Sequence, residues 1–197
     1  MRIAVSGSHA TGKSTLIAAF LARRPGYRHE AEAYETLADD IDLTEEAGPT
    51  PEGLEALLRH TIATLATFAP DDDVIVERSP VDYLAYAAAN RRRWPSADVR
   101  AFLDASLPAV RRAVHHLDLI VLVPVSDAIG RPGEDARFQK RVDRHLRRAL
   151  IDDDLDLLAA DAAPRVVELS PVPSRRLSEF LRLVPDRQRD PGQHQRG

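Results

Sequence analysis

Short, uninterrupted apolar runs alternate along this chain with longer stretches in which apolar residues recur every three or four positions. The short runs fall at 2–5, 27–30, 74–77, 119–123 and 165–168. Runs such as Val-Ile-Val at 74–76 and Leu-Ile-Val-Leu-Val at 119–123 are rich in β-branched residues and uninterrupted, as expected of strands covered on both faces. The longer stretches predict helices over 13–24, 51–68, 81–92, 97–115, 135–150 and 174–183. Strands alternating with helices of this length imply βα units around a parallel sheet. Residues 35–44 read equally as helix or loop. Pro51 suits a first helical position, with Thr50 as its cap. Beyond Pro185 the apolar period stops, and 185–197 reads as a disordered tail, leaving 1–184 as one domain.

Composition narrows the picture. A chain of 197 residues suits one core. Cysteine is absent, which excludes disulfides, thiolate metal sites and a cysteine nucleophile. No apolar run approaches the ~20 residues of a membrane span, and the start does not read as a secretory signal, so a cytoplasmic location without membrane association is expected. A net charge of −4 argues against nucleic acid as a partner. The only lysines are Lys13 and Lys140, while arginines cluster at 91–93 and from Arg131 to Arg148.

After the first strand come Gly7, Ser8, His9, Ala10, Thr11, Gly12, Lys13, Ser14 and Thr15. The spacing is GxxxxGK[ST], between a strand and a helix, the context in which the pattern means a phosphate-binding loop. Glycines let successive N–H groups face one centre, and the helix directs its positive end there. Lys13 would reach the β- and γ-phosphates and the Ser14 hydroxyl a Mg²⁺ ion. An Asn-Lys-x-Asp guanine motif is missing, which points to ATP.

The third strand ends in Glu77 and Arg78, followed by Ser79, Pro80, Asp82 and Tyr83. In a parallel sheet, ligands gather beyond the carboxyl ends of the strands. Glu77 there can hold Mg²⁺ or accept a proton from an acceptor hydroxyl. Asp82 reads more readily as an ordinary acid at a helix start. After the fourth strand, Gly130 to Gly133 break the pattern and a helix follows. On it Arg137, Arg141, Arg144 and Arg148 share one face, as an arginine-bearing lid over about 126–148 would.

The order GSHATGKST, then VIVERSPVDYLAY, then a Gly-Arg-Pro segment opening an arginine-rich helix resembles the small P-loop kinases of the nucleoside and nucleotide kinase group. Within that group it is similar to nicotinamide-riboside-kinase-like proteins, often labelled AAA-family ATPases or ATP-binding proteins, over about residues 2–183. The resemblance implies a three-layer α/β P-loop NTPase fold with a five-stranded parallel sheet and a short helical lid. It implies ATP and Mg²⁺ as cofactors. Lys13, Glu77, Arg78, Arg131 and Arg137 would be catalytic, and Ser14 and Glu77 would hold the metal. Acceptor contacts would lie around His29, Glu30, Glu32 and Tyr34, and the turn with Pro171 and Val172 would border the adenine. The expected acceptor is a small nucleoside-like compound. Tyr34, Tyr83, Tyr86 and Trp94 are candidate walls of its pocket. A nucleotide acceptor, a slow ATP-binding switch and a homodimer stay open.

Overall fold

The computed structural model describes residues 1–37, 50–91, 93–126, 134–159 and 163–184. Arg131, the 127–133 part of the expected lid, residues 38–44 and the 185–197 tail lie outside the described residues.

Five strands, β1 (Arg2–Ser6), β2 (Arg28–Glu30), β3 (Val74–Glu77), β4 (Leu119–Leu122) and β5 (Arg165–Glu168), form one parallel sheet in the order β2-β3-β1-β4-β5. The register aligns their C-terminal ends: Val5 pairs with Glu77 and with Val121, Glu30 with Val76, and Leu122 with Glu168. The helices are α1 (Lys13–Leu21), α2 (Ala33–Leu37), α3 (Pro51–Ala66), α4 (Pro80–Ala89), α5 (Ser96–Val114), α6 (Glu134–Leu150) and α7 (Pro173–Leu183). Thr50 caps α3, its hydroxyl accepting from Gly53 N at 3.1 Å, with Pro51 in the first turn.

Side chains alternate across the sheet because successive residues of a strand point to opposite faces. Ile3, Val5, Ile75, Leu119, Val121 and Val123 face a layer made by α1 and α7, where Phe20 and Phe180 stack. Ala4, Val74, Val76, Ile120 and Leu122 face the larger layer, packed with α3 to α6. With both faces covered, the central strands are buried throughout. That is why their sequences carry no polar period.

The sheet order separates the elements that matter for a ligand. The loop after β1 lies at the centre of the C-terminal edge. The turn after β3 and the segment after β2 lie to one side, and the turns after β4 and β5 to the other.

Candidate nucleotide and acceptor site

The loop between β1 and α1 has the backbone its glycines allow. Gly7 has φ +152° and Gly12 +87°. A Cβ on Gly7 would sit 2.6 Å from the Val123 carbonyl oxygen, so only glycine fits between the loop and the end of β4. Ala10 also takes a positive φ, 52°.

Lys13 is buried inside the loop. Its Nζ donates to Ser8 O at 2.9 Å and stands 3.6 Å from Glu77 Oε1. Burial, then the nearby Arg78 charge, lower its pKa to about 8, against the opposing pull of Glu77. The Ser14 hydroxyl donates to Glu77 Oε1 at 3.2 Å. The strand-end carboxylate, the loop lysine and the first hydroxyl of α1 therefore meet at one point. A hydroxyl and a carboxylate oxygen side by side are hard oxygen donors of the kind magnesium takes, completed by phosphate oxygens and water. Among the described residues no group of three His, Asp or Glu gathers as a self-sufficient metal cage. The donor set thus fits an ion that arrives with its phosphates.

Arg78 takes φ +71°, an uncommon conformation for a residue with a side chain. Its N–H donates to Val5 O at 3.0 Å and its Nη1 to Gly7 O at 3.0 Å. The guanidinium pairs with Glu32, lies 3.6 Å from Asp82 and covers the Tyr86 ring at 5.0 Å. Burial opposes its charge, but Tyr86, Glu32 and Asp82 outweigh burial and hold it protonated. Glu32 follows β2, so its carboxylate stands on the side of the loop away from β4 and β5.

Asp82 has more to do than start a helix. It is wholly buried, and its Oδ1 accepts from Gly7 N at 2.9 Å. Its Oδ2 accepts from Ser79 N at 3.0 Å and from the Ser79 hydroxyl at 3.1 Å, closing a capping box. Ser6 Oγ donates to Ser79 Oγ at 2.8 Å. The Ser79-x-x-Asp82 spacing is the signal that could have identified it.

The helix read as an arginine lid buries one face in the core. Val142, Leu146, Ala149 and Leu150 are buried in the larger layer. Arg141 Nε donates to Ala89 O at 3.3 Å, and Arg148 pairs with Asp154 at 2.7 Å. Two arginines of the shared face thus have separate partners. Arg137 is exposed near the helix start. Gln139, which no sequence signal marked, donates to His9 O at 2.7 Å, while His9 N donates to Tyr86 Oη at 2.8 Å. His9 also lies beside the Phe138 ring, at 6.0 Å between centroids.

The remaining candidates are dispersed. Tyr83 is buried and accepts from the Thr61 hydroxyl at 2.9 Å, which makes it part of the wall between α3 and α4. Trp94 packs edge-on against Phe102. His29 is exposed, Glu30 pairs with Arg28, and Tyr34 is partly exposed on α2. Pro171 and Val172 are exposed at the turn after β5. Behind them Arg176, also unmarked in the sequence, is buried on α7.

A family model for an AAA domain, AAA_28, matches residues 2–161. The chain belongs to the AAA_28 family. Its fold is also that of solved P-loop kinases. Deoxyadenosine kinase from M. mycoides with bound dATP superposes with a TM-score of 0.62 at 14% identity, over 93% of this chain and 98% of that one. The same enzyme with bound dCTP gives 0.63 at 14% identity, over the same shares. NadR protein in complex with NR gives 0.58 at 19% identity, over 85% of this chain and 45% of that one. No curated protein matches by sequence. This AAA_28 domain therefore has the three-layer P-loop NTPase fold with a parallel five-stranded sheet. Among the described residues no helix is long and apolar enough to cross a membrane.

Proposed function

We propose that this AAA_28 protein transfers the γ-phosphoryl group of ATP, bound with Mg²⁺, to a hydroxyl of a small nucleoside-like acceptor. The observation that carries this reading is the placement of two carboxylates at different points around the loop. Glu77 stands against Lys13 and Ser14, on the phosphate side. Glu32 is held by Arg78 on the β2 side, away from the turn after β5. The fold likeness to deoxyadenosine kinase and to NadR supports an acceptor of that general class.

In-line phosphoryl transfer needs positioning and charge neutralisation more than covalent chemistry. Lys13 would meet the β- and γ-phosphate oxygens, and loop N–H groups would take the rest. Ser14 and Glu77 would hold the magnesium ion, which supplies further neutralisation when bound. Arg137, and Arg131 outside the described residues, remain proposed contacts to the transferring group. Pro171 and Val172 would border the adenine. Glu32 would accept the hydroxyl proton. Glu77 stands against Lys13 and Ser14 on the phosphate side, which suits it to the metal, and Glu32, oriented by Arg78 on the β2 side, is assigned to the base.

The test is ADP release with and without a nucleoside panel, over a range of Mg²⁺. Glu32→Gln should keep the ATP KM within a few fold and cut acceptor-dependent turnover by roughly 10²–10⁴-fold, the scale of general-base catalysis. Glu77→Gln should raise the Mg²⁺ requirement, with partial rescue at high Mg²⁺. If Glu32→Gln turns over at the wild-type rate, the base assignment is wrong. If no acceptor accelerates the wild type, the protein is a switch and not a kinase.

A further inference from the structure

Arg176 is 3% exposed, yet its guanidinium meets main-chain carbonyls from three separate segments. Nη1 donates to Thr11 O at 2.6 Å. Nη2 donates to Pro124 O at 2.8 Å, after β4, and to Pro171 O at 3.3 Å. Nε donates to Ser170 O at 2.9 Å, after β5. Glu179, one turn further along α7, accepts from Ser170 N at 2.7 Å, so both main-chain polar groups of Ser170 are tied to this helix. Arg175 beside it is exposed. A buried guanidinium is costly unless its N–H groups are satisfied. Here they are satisfied by the phosphate loop and by the turns on its β4 and β5 side.

The consequence for the loop follows from peptide geometry. A trans peptide directs its N–H opposite to its C=O, and among the described residues no cis peptide is present. With the Thr11 carbonyl turned toward Arg176, the Gly12 N–H must point away from α7, into the loop. Gly12, in its left-handed conformation, then starts α1. A donor fixed in advance binds an anion without an ordering cost. We propose that Arg176 is a positioning residue for the nucleotide, presetting the Gly12 amide for phosphate and locking the loop to the 170–171 turn. This rests on the reading of the loop as a nucleoside triphosphate site.

The experiment titrates inorganic tripolyphosphate and ATP by calorimetry into full-length wild type, Arg176→Lys and Arg176→Gln, with the unfolding midpoint recorded for each. Lysine keeps the charge but cannot hold three segments with one fork. Both variants should therefore lose about tenfold or more in tripolyphosphate affinity, the scale of a lost charge-assisted hydrogen bond. ATP should lose more than tripolyphosphate, because the turn after β5 is released as well. If Arg176→Gln fails to fold, Arg176→Lys carries the test. A folded Arg176→Lys that binds tripolyphosphate within about twofold of wild type, the range of a neutral substitution, overturns the proposal. Wild-type protein that binds neither tripolyphosphate nor ATP overturns the nucleotide reading itself.

Discussion

At the scale of single residues, Lys13 has the most direct physical consequence. Burial and the neighbouring Arg78 lower its pKa to about 8, from the ordinary lysine value of 10.5. Between those values the unfolded chain binds the proton that the folded chain releases. Lys13 therefore costs folding stability at lower pH, and the cost fades as pH rises through this window. An anion in the loop favours the ammonium and raises the pKa again. ATP binding at about pH 8.5 should then take up a proton, and affinity should fall as pH rises past about 8. Calorimetry in two buffers of different ionisation heat measures the uptake. Heats that do not depend on the buffer, or an uptake that survives Lys13→Met, would remove Lys13 from the anion site. Lys13 was legible in the sequence because the loop motif is local and places its lysine by spacing alone. The position of Glu77 was legible because an apolar strand fixes its own end. The Glu32–Arg78 pair was not, since it depends on β2 lying beside β3, which no local pattern states.

At the scale of elements, strands and helices followed the apolar period to within a few residues, and their roles followed it less well. The arginine-rich helix shows why. Spacing places Arg137, Arg141, Arg144 and Arg148 on one face, but it does not reveal that Val142 and Leu146 anchor the helix beneath α4 or that Arg141 binds the end of that helix. The start of α4 shows the opposite case, in which a helix cap is also part of the site. Asp82 closes the capping box on Ser79 and holds the Gly7 amide with its other oxygen. The amide of Asp82→Asn has one acceptor oxygen for two buried N–H groups and turns its own NH₂ toward a donor. The expected loss is about 1–3 kcal/mol of stability, the cost of a buried donor left unsatisfied, read from a urea midpoint. ATP affinity should fall with it, because Gly7 and Arg78 lose the same anchor. A folded Asp82→Asn protein with the wild-type midpoint and ATP affinity would reduce Asp82 to an ordinary helix-start acid.

At the scale of the whole molecule, the two apolar layers share the same strands, residue by residue. Ile3 and Val5 face α1 and α7, while Ala4 between them faces the larger layer. Neither layer can open without stripping one face of the sheet that supports the other, so unfolding should be a single cooperative transition. The chain offers a built-in test. Phe180 is fully buried in the smaller layer, stacked on Phe20 with centroids 4.4 Å apart. The single tryptophan, Trp94, packs against the larger layer on the opposite side. Phe180→Ala removes a large buried ring and should cost about 3–5 kcal/mol. If the layers are coupled through the sheet, Trp94 fluorescence should report that loss in full although it lies on the other side. Its denaturation midpoint should then move together with the far-ultraviolet circular dichroism. A Trp94 transition left at the wild-type midpoint, while part of the helical signal is lost earlier, would show that the α1–α7 layer unfolds alone. Arg176 would then sit on an independently opening unit, and the loop geometry it holds would fluctuate with α7 and not with the sheet.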